Sequence, residues 1–191
     1  MFDEQKQRYM QALLHPDKSR AGSCDIQIKP LLDILNAHPD VYTTSSCAGR
    51  IMVLQKTPQS KKHETTWLLV SHEPIIPEQV YTLPLHKDDI WFKMEAPIIH
   101  LCVRDLHIAQ YILSIAHQCG IKHSGILHIQ PRIIIELLGR HAIETPLCIN
   151  GKQEVHNNYI IQLVEQANKK LKDARAPFTR FGTLFSHNNN K

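Results

Sequence analysis

Residues 41–56 read VYTTSSCAGRIMVLQK: a β-branched, hydroxyl-rich run, a break at Gly49-Arg50, and an apolar run beginning at Ile51. Val, Ile, Thr and Tyr favour extended backbone, so this stretch predicts two strands in immediate succession. No helix separates them, and the pattern repeats along the chain. TWLLVS (66–71), IWFKME (90–95) and PIIHLCVR (97–104) read as strands, as do SGILHIQ (124–130), RIIIELL (132–138) and PLCI (146–149). Asn150-Gly151 is a strong hairpin-turn signal. Helical spacing appears elsewhere. Phe2, Tyr9 and Leu13 mark a helix over 2–14. Ile28, Leu31, Leu32 and Leu35 mark one over 26–36, with Asp25 as its N-cap and Pro30 near its first turn. Residues 105–118 return to helical period and stop at Gly120, and Tyr159, Ile160, Leu163, Val164, Ala167 and Leu171 mark a helix over 155–173. Strands clustered together, rather than alternating with helices, predict an α+β fold: a mixed sheet with packed helices. The chain has seven glycines and no GxGxxG after a strand, so a Rossmann-type nucleotide site is not expected.

With 191 residues the chain is long enough to bury a real core. The charged first residues, MFDEQKQRYMQALL, lack an apolar signal core, and no run approaches the roughly 20 apolar residues that span a bilayer. A cytoplasmic protein with no membrane partner is expected. The five cysteines are scattered and form no CxxC, and no HExxH occurs, so neither a disulfide framework nor a metal site is expected. The net charge of +4 is concentrated at one end. Residues 169–191 carry Lys169, Lys170, Lys172, Arg175, Arg180 and Lys191 against Asp173 alone. Such an end suits a polyanion, nucleic acid above all, or is simply a solvated helix end. The polar composition after 175 predicts a domain over 1–175 and a basic flexible tail over 176–191. Phe178, Phe181 and Phe185 in that tail would either dock on the body or stack on bases.

Two polar segments lie between apolar elements. Lys18-Ser19-Arg20-Ala21-Gly22-Ser23-Cys24-Asp25 leads into a helix start, where backbone N–H groups suit an anion, unless it is an ordinary capped helix. Thr43-Thr44-Ser45-Ser46-Cys47-Ala48-Gly49-Arg50 concentrates hydroxyls that suit a ribose or carboxylate, with Arg50 able to grip an oxyanion bidentately. Cys47 is either a packed thiol or the nucleophile of a hydrolase. His72, Glu95 and His100 sit at or near strand ends, either as structural residues or as proton-handling groups.

K-S-x-x-G-x-x-D at Lys18, Ser19, Gly22 and Asp25, followed by a helix and TTSSCAGR at 43–50, resembles the N-terminal signature of the tRNA wybutosine-synthesizing protein 3 family. Trp67 and His72, the segment Phe92 to His100, the run Leu106 to Gly125 and Asn168 continue the likeness in register over about 4–172. Ala48 replaces a more usual serine. The resemblance implies an S-adenosylmethionine-dependent methyltransferase acting on N4 of the tricyclic wybutosine precursor beside the anticodon of phenylalanine tRNA. The alternative is a non-catalytic RNA-binding module of the same fold. Under the first reading Asp25, His72 and Ser46 are the catalytic candidates. Ser19, Thr44, Ser45, Cys47, Gly49 and His100 would contact the cofactor. Lys18, Arg50, Trp67, Lys93 and Glu95 would meet the tRNA anticodon loop, with Trp67 and Phe92 as stacking rings or core residues.

Overall fold

The computed structural model describes residues 1–13, 24–56, 65–84 and 88–189. Its elements in chain order are α1 (Phe2–Ala12), α2 (Lys29–Ala37), β1 (Val41–Cys47), β2 (Arg50–Lys56), β3 (Thr66–Ser71), α3 (Glu78–Tyr81), β4 (Asp89–Glu95) and β5 (Ile98–Val103). They continue with α4 (Leu106–Gln118), β6 (Gly125–His128), β7 (Ile133–Leu138), β8 (Ala142–Ile149), β9 (Lys152–Gln153) and α5 (Asn157–Asn189). The fold is α+β, as the clustered strands imply. The strands divide between two sheets, and every described pairing is antiparallel. A doubly wound Rossmann sheet is excluded. The chain forms two compact units, one of Met1–Ala48, Pro97–Arg140 and Ala174–Lys191, the other of Gly49–Ala96 and His141–Asp173.

The first unit is built on the sheet β1-β5-β7-β6. Period-2 alternation puts Val41, Ile99, Leu101, Val103, Ile135 and Leu137 into one core cluster. Over them lie Leu31, Leu32 and Leu35 of α2, Ala109, Ile112 and Ile115 of α4, and Phe178, Phe181 and Phe185 of α5. Asp105 caps α4 by accepting from the Ile108 amide at 2.9 Å, and Gly120, at φ 95°, ends it as the sequence predicts. Tyr42 points away from that core. Its ring meets those of Phe2 and Tyr9 at centroid distances of 5.3 and 4.9 Å, and burial pushes its phenol up to about 12. Arg104 completes the seat of α1, pairing with Asp3 and Asp40 while its guanidinium stacks over Phe2.

The second unit is built on β3-β2-β4-β8-β9. Ile90, Phe92 and Met94 alternate inward on β4 beside Ile51 and Val53 of β2, so Phe92 is a core ring and not a stacking surface. The first half of α5 buries Ile160, Leu163, Val164, Ala167 and Leu171. Asn168 on that helix accepts from the Ile75 amide at 3.0 Å and donates to its carbonyl at 2.8 Å. Asn150 and Gly151, both at positive φ, form the predicted two-residue turn between β8 and β9.

Two expectations are corrected. Residues 176–189 are not a flexible tail: α5 runs to Asn189, through Pro177. A proline in a helix interior costs about 3 kcal/mol, because the amide to the preceding turn is missing. Burial of three phenylalanines at positions 178, 181 and 185 outweighs it, at roughly 1.5–3 kcal/mol each. Asp25, in turn, does not cap α2. The helix starts behind Ile28 with no side-chain cap, and the Asp25 carboxylate is used elsewhere.

Gly182 marks how closely α5 approaches α2. A Cβ there would meet Leu31 Cδ1 at 3.1 Å and Ile34 Cδ1 at 3.7 Å. Gly182→Leu is therefore expected to overpack this contact and destabilise the protein by about 1–3 kcal/mol, which a denaturant titration would read as a lower midpoint at unchanged slope.

Candidate active site

In the first unit the hydroxyl-rich segment lies along β1, and three contacts fix its path. Asn36, buried on α2, accepts from the Thr43 amide at 2.8 Å and donates to Thr43 Oγ1 at 2.9 Å. A bulge follows at Thr44: Thr43 pairs with Leu101 and Ser45 with His100, leaving Thr44 as the extra residue. Its hydroxyl donates to the His100 carbonyl at 3.3 Å. Beyond Cys47, the Ala48 peptide is held at both ends. Asp25 Oδ2 accepts its amide at 2.7 Å, and Arg175 Nε donates to its carbonyl at 2.8 Å. The expected basic contact Arg175 is thus an internal clamp as well as a surface cation. Losing the first anchor would leave the Thr43 amide buried without its acceptor. Asn36→Ala is expected to cost about 1–3 kcal/mol, measurable as a fall in melting temperature.

The bulge decides which hydroxyl meets the histidine. Ser45 Oγ lies 2.8 Å from His100 Nδ1, and His100 Nε2 lies 2.8 Å from Glu136 Oε2. Each is the cross-strand partner of the next, on β1, β5 and β7, so the three line one face of the sheet. That face is opposite the helix-covered core. Glu136 was not singled out from the sequence. Its one signal is a carboxylate within the otherwise apolar run IIIELL. Ser46 hydrogen-bonds the neighbouring Cys24 thiol, whose pKa burial nevertheless raises. Cys24 is accordingly a protonated, packed thiol at neutral pH.

A cavity of about 470 Å³ opens beside Ala48, lined by Gln27 and Ile28 just before α2, by Leu31 of α2, and by the second half of α5 (Arg175, Phe178, Thr183). Its volume suits a small molecule. Of the residues marked from the sequence, Arg175 and Phe178 line it, and none of the catalytic, cofactor or substrate candidates does.

The second unit collects the other candidates. Arg50 Nε and one terminal nitrogen both donate to Glu95 Oε2 at 3.0 Å, and the guanidinium lies 4.9 Å from the Trp67 ring centroid. Three residues expected to meet substrate, Arg50, Trp67 and Glu95, are therefore one stacked ion-pair cluster. Lys93 pairs with Glu144 at 2.6 Å. His72 Nδ1 donates to the Gly49 carbonyl at 3.1 Å, so in the neutral ring the acceptor nitrogen is Nε2. Lys18 and Ser19 lie outside the described residues.

The comparisons with known proteins agree with one another. The family model described as Methyltransferase TYW3 matches residues 4–187, beyond the stretch of about 4–172 over which the motifs show the likeness. A tRNA wybutosine-synthesizing protein 3 homolog of Xenopus laevis is 34% identical over 170 residues, covering 86% of this chain and 68% of the relative. A tRNA(Phe) 7-((3-amino-3-carboxypropyl)-4-demethylwyosine(37)-N(4))-methyltransferase of Methanocaldococcus jannaschii is 34% identical over 167 residues, covering 85% of this chain and 86% of the relative. The structure of PH1069 protein from Pyrococcus horikoshii superposes with a TM-score of 0.83 at 26% identity, covering 96% of this chain and 93% of that one. With the match running through both units and through the whole of α5's buried stripe, the chain belongs to the Methyltransferase TYW3 family.

Proposed function

We propose that this protein methylates N4 of the tricyclic 7-(3-amino-3-carboxypropyl)-4-demethylwyosine of tRNA(Phe), the reaction for which its relatives are named. The observation that carries this reading is likeness to those methyltransferases along most of both chains, at 31–34% identity. The methyl donor is S-adenosylmethionine, and the base is presented from the single-stranded anticodon loop, where it can be splayed out of the stack. No helix among the described residues is long and apolar enough to cross a membrane, and a cytoplasmic setting suits a tRNA substrate.

The side chains present suit such a donor. A sulfonium nucleoside offers ribose hydroxyls, an ammonium and a carboxylate, and the β1 end supplies the hydroxyls of Thr44, Ser45 and Ser46 with the backbone of Cys47 and Gly49. When bound, the donor supplies an electrophilic methyl carbon. The chain's own task is alignment and disposal of one proton, and alignment alone removes much of the barrier. Ser46 and Asp25 hold the strand end on which the donor contacts depend. His72, donating through Nδ1, presents Nε2 as a hydrogen-bond acceptor that can orient the substrate nitrogen. In the second unit Glu95 holds the Arg50 guanidinium over Trp67, a cation suited to a carboxylate or phosphate, and Lys93 adds a second cation. Lys18 and Ser19 would extend the phosphate and cofactor contacts.

Incubating the protein with S-adenosylmethionine and tRNA from a strain lacking it, then analysing nucleosides by mass, tests the reading. One added methyl on the tricyclic base is expected. Donor binding with no methyl gained would instead indicate a non-catalytic RNA-binding module.

A further inference from the structure

The Ser45–His100–Glu136 chain has a directionality that the hydrogen-bond chemistry dictates. A carboxylate only accepts, so the Nε2 facing Glu136 at 2.8 Å must carry a hydrogen. In the neutral ring Nδ1 is then the acceptor, and Ser45 donates its O–H to it across 2.8 Å. With its proton committed to His100, Ser45 Oγ still has lone pairs with which to accept, and the residue is exposed. If the ring gains a proton at Nδ1, both contacts persist: the donor reverses only in the Ser45 contact, while Nε2 still donates to Glu136, and the imidazolium sits against the carboxylate. The arrangement accommodates both proton states without moving a heavy atom. Nucleophile-or-acceptor, base and orienting carboxylate in this order form a proton-handling chain wherever it occurs. His100 is held at both ring nitrogens, so these contacts suit it to relay a proton more than to grip a cofactor.

We propose that Glu136 is a positioning residue that fixes the His100 tautomer, and that Ser45 and His100 carry away the proton released when the substrate nitrogen is methylated. The proposal rests on the methyltransferase reading. As the nitrogen's electron pair forms the new N–C bond, the donor's S–C bond breaks with its pair retained on sulfur. The N–H proton passes to Ser45 Oγ, and the Ser45 hydroxyl proton passes to His100 Nδ1. Charge balances: the sulfonium's positive charge ends on the imidazolium, paired with Glu136, and is discharged to solvent between turnovers. The bulge at Thr44 is what brings Ser45, rather than Thr44, opposite His100, so the relay is written into the strand register.

Two measurements test it. The first is ¹⁵N NMR of the His100 ring in the free, full-length protein, which needs neither donor nor tRNA. Wild type is expected to show a protonated Nε2 and an acceptor Nδ1. Glu136→Ala should give a mixture of tautomers, and Glu136→Gln, which keeps a carbonyl acceptor, should retain the wild-type pattern. The second is methyl transfer at saturating donor. Glu136→Ala should lower kcat by about tenfold or more, towards the 100- to 10,000-fold typical of acid–base groups, with KM for tRNA little changed. Glu136→Gln, which keeps an acceptor for Nε2–H, should recover most of that kcat. Unchanged ring nitrogens in Glu136→Ala, or a kcat in that variant equal to wild type, would overturn the proposal. If wild-type protein transfers no methyl to hypomodified tRNA, the activity reading fails and the relay with it, while the ring-nitrogen spectra still decide whether Glu136 sets the tautomer.

Discussion

A chain ending at Arg175 is expected to lose the cooperative unfolding transition of its first unit. Phe178, Phe181 and Phe185 are at most 4% exposed and belong to the core cluster shared with α2, β1, β5 and α4. Phe181 and Phe185 also stack on each other at 5.7 Å. Truncating one buried phenylalanine to alanine costs about 3–5 kcal/mol, and removing three approaches or exceeds the roughly 5–15 kcal/mol that holds a domain folded. The shortened chain should bind hydrophobic dyes and lose protease resistance between residues 1 and 48 and between 97 and 140. The point variant Phe181→Ala gives a graded version, a melting temperature lower by about 10 °C at 2–4 °C per kcal/mol. A truncated chain that melts like the full one would contradict the burial of these rings.

Asp25→Ala is expected to cost both stability and activity, and Asp25→Asn to separate them. In the alanine variant the Ala48 amide, 1% exposed as a residue, loses a charge-assisted partner at 2.7 Å. An orphaned buried amide costs about 1–3 kcal/mol, and the end of β1 relaxes with it. A displacement near 1 Å of residues that align a methyl transfer costs about 100-fold in rate, so kcat/KM should fall by that order. Asparagine keeps an acceptor at the same place and should restore most of the melting temperature. If Asp25 also handles the proton, as its catalytic assignment holds, kcat stays low in the asparagine variant. If Asp25 is a clamp alone, kcat recovers with stability. Unchanged methyl transfer at saturating donor in the alanine variant would remove Asp25 from the machinery altogether.

The parts of this architecture legible in the sequence are those governed by local chemistry. Gly120 and Asn150-Gly151 demand positive φ, and both sit where the chain turns. The β-branched runs become strands with ends within a residue or two, except that β8 starts at Ala142, four residues before the predicted PLCI. What the sequence left hidden depends on partners far along the chain. The division of strands into two sheets follows from pairings such as Val41 with Val103 and Trp91 with Pro146, which no local period encodes. Residues 176–189 look polar and carry Pro177, and their helix is legible only through the spacing of three phenylalanines. For the site, TTSSCAGR and the family likeness pointed to Thr44, Ser45, Ser46 and His100, but a one-residue bulge determines that Ser45 meets the histidine. Glu136 was unreadable because its meaning comes from register with β5. Asp25 was read as a helix cap, the commonest use of an aspartate before a helix, and is instead spent on Ala48, 23 residues away.

The order in which the two units draw on the chain has a consequence during synthesis. The second unit has all its residues once position 173 has left the ribosome, whereas the first still lacks the helix that lids its core. Until Phe178, Phe181 and Phe185 emerge, the apolar faces of β1, β5 and α2 are exposed to the cell. A chain of which only residues up to 173 have emerged is therefore expected to be the more aggregation-prone species. Folding of the half that bears the serine–histidine–glutamate chain is timed to the emergence of the second half of α5.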